Sequence, residues 1–171
     1  MKVVRVIEID APAPDVWDVL GTRYSEVHEW ATPVHEASGP GLGTGPGLGD
    51  GRTCVTSIGN VQETIVDFDA ERHRLSYEAK SDGMPRFVRQ MVADWVFIEY
   101  GPTSTTVRMT LTMDVAPPFN LFMGPVMKIQ MGRMIGRVMK DLKVFVETGR
   151  PSEIKARTAN KRTKKAALNA A

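Results

Sequence analysis

The sequence predicts an α+β domain: an antiparallel sheet of about seven strands, two short helices near the N-terminus and one long C-terminal helix. Three observations predict it. Residues 104–115 alternate with period two, placing Val107, Met109, Leu111, Met113 and Val115 on one side and Thr106, Arg108, Thr110, Thr112 and Asp114 on the other, as a half-buried strand requires. From Pro33 to Val115 short β-type runs follow one another with turn residues between them, and sequential hairpins build a mostly antiparallel sheet. Residues 125–147 then carry apolar side chains at helical spacing.

The elements follow in order. Val3, Arg5, Ile7 and Ile9 share one face of an opening strand. Asp10 stands as an N-cap carboxylate ahead of Pro12, Pro14 and the run DVWDVL, which predicts a short helix over about 14–20 ended by Gly21. TRYSEVHEW adds a second short helical turn before Pro33 forces the chain extended. Strands are expected around 33–38, 52–58, 61–68, 74–80, 86–99 and 104–115, with Gly59-Asn60, Asp82-Gly83 and Gly101-Pro102 as hairpin turns. The long helix is entered at Pro125 and closed by Gly149, with Pro151 just beyond. At about 100° per residue from Met127, the side chains of Met131, Met134, Ile135, Val138, Leu142 and Phe145 fall within about 80°, while Arg133, Arg137 and Lys140 lie opposite. Gly132 and Gly136 stand at the polar margin of that face.

A chain of 171 residues with 42% apolar and 25% charged side chains is an ordinary globular domain with one core. Its net charge of +2 hides an asymmetry. Residues 1–149 hold 15 Lys and Arg against 19 Asp and Glu, whereas residues 150–171 hold 7 against 1. The expected division is therefore a folded domain over 1–149 and a basic tail over 150–171, disordered because RPSEIKARTANKRTKKAALNAA has few large apolar side chains. The pI near 8.8 belongs to that tail, so no nucleic acid is expected on the folded body, and an anionic surface is the natural contact for the tail. The single Cys54 forms no intramolecular disulfide, which points to a reducing compartment. MKVVRVIEID is broken by Arg5 and Glu8 before a signal-peptide core develops, and no run of about 18 apolar residues occurs. A cytoplasmic protein without a transmembrane segment is expected.

Several chemistries lack their motifs. GPGLGTGPGLGDG places glycine at every second position from 39 to 51, a parity that cannot supply G-x-G-x-x-G, and it lacks a phosphate-loop ending. It reads as a flexible connector. His28, His35 and His73 have no metal-binding spacing, and no G-x-S-x-G elbow occurs. No metal and no cofactor are expected.

The order of strand, two short helices, six strands and long helix carries IEIDAPAPDVWDVL at its start and DLKVFVETG at its end. Between them stand Gly51-Arg52 opening a strand, VQETIVDFD followed by RLSY, and Trp95 in the long strand before GPTSTTVRMTL. Over residues 3–149 this resembles the START-like, polyketide cyclase/dehydrase and lipid-transport superfamily, also called SRPBCC or helix-grip. The resemblance implies a curved sheet and C-terminal helix enclosing a cavity for a lipid, sterol, hormone or aromatic polyketide, in some members with aromatase or cyclase chemistry. It also implies that the glycine-rich run forms a flap over the cavity mouth.

Candidate ligand-binding residues follow from the faces. Leu75, Tyr77 and Ala79 share one side of their strand, so Tyr77 is placed to project a phenol inward; the plain reading is a core tyrosine. Tyr24 and Trp30 flank His28 and can rim a pocket. Arg52, Glu63, Arg89 and Asp94 are the polar groups that could serve a pocket with apolar walls. Trp95 alternates with Met91 and Phe97 while Val92, Val96 and Ile98 take the other side, so periodicity leaves open which face of the 86–99 strand is internal. Met127, Met131 and Met134 form one helix patch, soft enough to suit varied ligands, although such a patch is ordinarily core. The leading expectation is a non-catalytic carrier of a hydrophobic small molecule, lipid or polyketide-like. A polyketide aromatase/cyclase using Tyr77, Glu63 or Arg89 is the alternative, and an interaction module with a basic tail the third.

Overall fold

The computed structural model describes residues 1–40 and 51–169, so most of the glycine-rich run, with the connector or flap expected there, lies outside the described residues. The elements are β1 (Lys2–Ile9), α1 (Ala13–Trp17), a π-helical turn (Asp18–Thr22), a 3-10 helix (Tyr24–Glu29), β2 (Val34–Ser38), β3 (Gly51–Thr56), β4 (Gly59–Asp69), β5 (Arg74–Ser81), β6 (Val88–Tyr100), β7 (Thr105–Val115), α2 (Pro117–Thr148) and α3 (Glu153–Asn169). The seven strands form one antiparallel sheet in the order β1-β7-β6-β5-β4-β3-β2. This is the helix-grip α+β architecture.

Register aligns the inner face. Ile65, Tyr77, Ala93, Leu111 and Val3 form one cross-strand row, and Leu75, Trp95 and Met109 belong to the next. All are buried, which settles the face of β6: Ala93, Trp95 and Phe97 point inward. Register shifts at Ile65/Asp67, Val88/Gln90 and Phe97/Glu99 bend their strands, because an extra residue on one side of a ladder increases local twist. Trp17 packs between helix and sheet, its ring 5.5 Å from Phe68 and 5.7 Å from Phe97.

Helix α2 begins eight residues before the expected start. Pro117 and Pro118 take the first-turn positions, where a missing N–H costs nothing. Pro125 sits inside the helix, and the carbonyl it frees, that of exposed Leu121, has water available. The C-terminus closes as expected on Gly149, left-handed at φ 66°, whose N–H bonds the Phe145 carbonyl at 2.8 Å. α2 lies chiefly over β1, with lesser contact to β7 and the π turn. Its core face is centred on Ile135, Met139, Leu142 and Phe145, roughly 70° round from Met127. That rotation corrects the methionine patch: Met127 and Met131 are half-buried, but Met134 is 36% exposed at the margin. Gly132, expected at the polar margin, is instead buried beside the Arg5 side chain.

The chain after 149 differs from the expected disorder, because α3 has buried anchors. Asp141 on α2 is buried; its carboxylate accepts from the Thr32 N–H at 2.8 Å and the Ser152 hydroxyl at 2.5 Å. Lys155 is buried too, donating to the carbonyls of Ala31 at 3.1 Å and Val34 at 2.5 Å. Burial holds its pKa below the ordinary lysine value, with Asp141 opposing. Charge counting over 150–171 could not reveal partners so distant in sequence. Deleting residues 150–171 strips Asp141 of one donor and exposes what α3 covers. A loss of about 2 kcal/mol, or roughly 4–8 °C in Tm by calorimetry, is expected.

Candidate functional site

The β3–β4 register sets Arg52 directly opposite Glu63, and the β4–β5 register sets Glu63 opposite Ala79. Tyr77 lies two residues from Ala79 and so shares its inward face. Tyr24 enters from the 3-10 helix above. Its hydroxyl donates to Glu63 Oε2 at 2.9 Å, and Arg52 Nε donates to the same oxygen at 2.7 Å. A second guanidinium N–H of Arg52 donates to the Tyr24 carbonyl. The Arg52 guanidinium lies 3.7 Å from the centroid of the Tyr24 ring and 5.8 Å from that of Tyr77. The two rings are 5.9 Å apart. Trp95, paired with Leu75 across the β5–β6 ladder, stands one row from Tyr77 and is buried with it.

All members of this cluster are buried, and burial decides their protonation. It drives the Tyr24 and Tyr77 hydroxyls well above the ordinary phenol pKa, with Glu63 adding to the effect and Arg52 opposing it. Burial acts most strongly on Arg52 and works against its cation, but Glu63 together with Tyr24, Tyr77 and Cys54 outweighs it and holds the guanidinium above its ordinary value. Cys54, two residues along β3 from Arg52, is pushed up to about 12 by burial and Glu63. At neutral pH the site thus holds two phenols, a thiol and one ion pair.

Five of the sequence-predicted residues meet here: Tyr24, Arg52, Glu63, Tyr77 and Trp95. Others do not. Arg89 is exposed beside the β6 register shift, and Asp94 lies on the outer face, accepting from Ser76 at 2.6 Å with Arg74 3.4 Å away. Trp30 is buried after the 3-10 helix, packed into the hydrophobic core. Met127 and Met131 stand on α2 over the β1 end of the sheet, whereas the cluster projects from β3, β4 and β5. Sequence reasoning that weighs Cys54 only as a disulfide partner misses its place here; its parity with Arg52 along β3 is the available signal.

Two clefts lie elsewhere. A groove of about 600 Å³ on the outer face includes Arg74, Asp67, Asp94, Arg108 and Lys2 in its lining, and Arg74 there bridges Asp67 at 2.9 Å. A hollow of about 380 Å³ beside Thr53, Gln62 and Lys80 is also on that side. Both are separate from the inner cluster; the first mixes its charged side chains with Val4, Val66 and Val92, and the second is mostly polar. Among the described residues no group of three or more His, Cys, Asp or Glu side chains is gathered as a metal site, and no helix is long and apolar enough to cross a membrane.

Comparison with known structures places this architecture. A protein from Thermus thermophilus superposes with a TM-score of 0.68 at 19% identity, covering 87% of this chain and 99% of its own. A START superfamily protein from Mycobacterium smegmatis gives 0.67 at 15%, covering 85% and 97%. Truncated norcoclaurine synthase from Thalictrum flavum gives 0.63 at 16%, covering 85% and 92%. At these identities the likeness is one of fold. No curated protein matches the sequence. A family model described as polyketide cyclase/dehydrase and lipid transport matches residues 1–147, from the first strand almost to the end of α2, and the chain belongs to that family.

Proposed function

We propose that this chain binds an apolar small molecule carrying an oxygen acceptor, with the molecule's body against the inner face of the sheet and its polar end at Arg52 and Tyr77. The observation that supports this reading is the buried Arg52–Glu63 pair with its two phenols. Such a pair contributes little to stability that apolar side chains would not supply as well. A binding surface, by contrast, needs a few fixed donors among apolar walls. Burial and Glu63 raise the pKa of the Tyr77 phenol, so it keeps its proton to donate. Both activities in the family description, polyketide cyclisation and lipid transport, concern largely apolar molecules.

The test is native mass spectrometry of the gently purified full chain, paired with uptake of an apolar fluorescent probe. A retained apolar ligand and probe binding are expected. Met131→Ala should cost only about 1 kcal/mol, because Met131 is half-buried, and should alter probe affinity. Met131→Trp should block the probe with the fold intact. A wild type that retains no ligand and never takes up the probe, with a strongly destabilised Met131→Ala, would mean a filled core and would leave the interaction-module reading.

Aromatase or cyclase action is the second reading, favoured by one contact, the Tyr24 hydroxyl on the Glu63 carboxylate. That couple puts a proton donor beside an acceptor. Against it, Glu63 Oε2 already accepts two hydrogen bonds and both phenols hold their protons tightly, which makes the cluster a set of donors rather than a base. Cyclisation of a poly-β-ketone substrate that survives both Tyr77→Phe and Glu63→Gln would remove the cluster from the chemistry.

A further inference from the structure

Half of the fourteen large apolar side chains exposed among the described residues fall within 119–134 of α2. Leu121 is 73% and Phe122 78% exposed. Leu121 points to the same side as the core face and is still open, so the first turns of α2 overhang the sheet. Phe119, Phe122, Val126 and Ile129 instead lie within about 50° of the direction opposite the core face. Continuing along that outward stripe, the next side chains are Arg133, Arg137 and Lys140, all exposed. The stripe thus changes from apolar to cationic, with about 15 Å of apolar residues followed by about 10 Å of cations.

Along this part of α2 the charge runs one way. Between Asp114 and Asp141 the chain carries Lys128, Arg133, Arg137 and Lys140 and no acidic residue. Near the helix start, exposed Arg86 in the β5–β6 connection, which also carries Asp82, and exposed Arg89 at the start of β6 flank Phe87, whose ring stacks on Phe119 with centroids 4.6 Å apart. A second copy of the chain seated on this patch would bring like charges together. A surface that is anionic outside and apolar beneath complements both halves of the stripe.

We propose that the N-terminal half of α2 docks on a bilayer containing anionic lipid, with Phe119, Phe122, Val126 and Ile129 entering the acyl boundary and Arg133, Arg137 and Lys140 resting on the headgroup phosphates. The inference is independent of what the inner cluster holds. The test is flotation of the full chain with vesicles of phosphatidylcholine alone and of phosphatidylcholine mixed with phosphatidylserine. Wild type should bind the mixed vesicles far more tightly, and added salt should weaken that binding. Phe122→Ser with Ile129→Ser should lower affinity about tenfold or more. Arg133→Gln with Arg137→Gln should lower it chiefly on the anionic vesicles. All four positions are exposed, so melting temperatures should be unchanged.

Three outcomes overturn the proposal. One is no binding to either vesicle. Another is binding unaffected by the Phe122 and Ile129 changes but abolished by Lys161→Gln, Arg162→Gln and Lys164→Gln, which would assign the contact to α3. The last is a concentration-dependent dimer in sedimentation that Phe122→Ser dissolves, which would make the patch a self-interface.

Discussion

Replacing Glu63 by alanine is expected to destabilise the domain by about 3–5 kcal/mol, the cost of leaving one member of a buried ion pair without its partner. The side chains of Arg52 and Glu63 are 6% and 10% exposed, so the orphaned guanidinium cannot recover its hydration without moving a strand. Tyr24 would also lose the acceptor of its hydroxyl, a further unsatisfied polar group. Glu63→Gln keeps the shape but not the charge and should fall between wild type and Glu63→Ala. The double variant Arg52→Met, Glu63→Leu should recover most of the loss, since apolar replacement of a whole buried pair is commonly neutral or better. Urea denaturation of the four proteins measures these differences. A loss below about 1 kcal/mol for Glu63→Ala would show that Arg52 reaches water, and the cluster would then be a surface feature rather than a sequestered anchor.

Local signals carry the fold and only part of the site. Alternation identifies β7 completely, because one of its faces meets the core and the other does not. It cannot orient β6, where Val92, Val96 and Ile98 are as apolar as Met91, Trp95 and Phe97; the distinction comes from pairing with Tyr77 and Leu111 on neighbouring strands. Arg52 and Glu63 are visible as residue types, but their pairing is a matter of register across the β3–β4 hairpin. The expected start of α2 falls too late because Pro125 has the look of a first-turn proline, and nothing local shows that Pro117 already fills that role. Met134 is misassigned for a related reason. The centre of a helix face depends on what it packs against, and taking Met127 as that centre turns the whole face by roughly 70°. Asp141 and Lys155 escape sequence reasoning entirely, since their partners Thr32, Ala31 and Val34 are more than a hundred residues away.

Gly51→Ala should be the most disruptive conservative substitution near the site. The two strands approach so closely at this residue that an added Cβ would lie 1.9 Å from the Glu63 carbonyl oxygen and 3.1 Å from the Thr64 Cα. These are backbone atoms of a paired strand and cannot rotate aside as a side chain would. Relief requires β3 and β4 to part at the residue that precedes Arg52. A loss of roughly 2–4 kcal/mol is expected, and it should couple to the site: the Arg52–Glu63 geometry shifts, so Gly51→Ala and Glu63→Ala together should cost less than the two separately. Gly136→Ala is the matching control. It lies inside α2 with nothing within 4 Å of an added Cβ, and there the change should stabilise by about 1 kcal/mol through helix propensity alone. Denaturation midpoints moving in opposite directions for the two glycines would confirm that close strand approach, and not glycine content, sets the requirement at position 51. If Gly51→Ala were as mild as Gly136→Ala, β3 would not be held against β4 at that end, and Arg52 would lose the fixed backbone that aims it at Glu63.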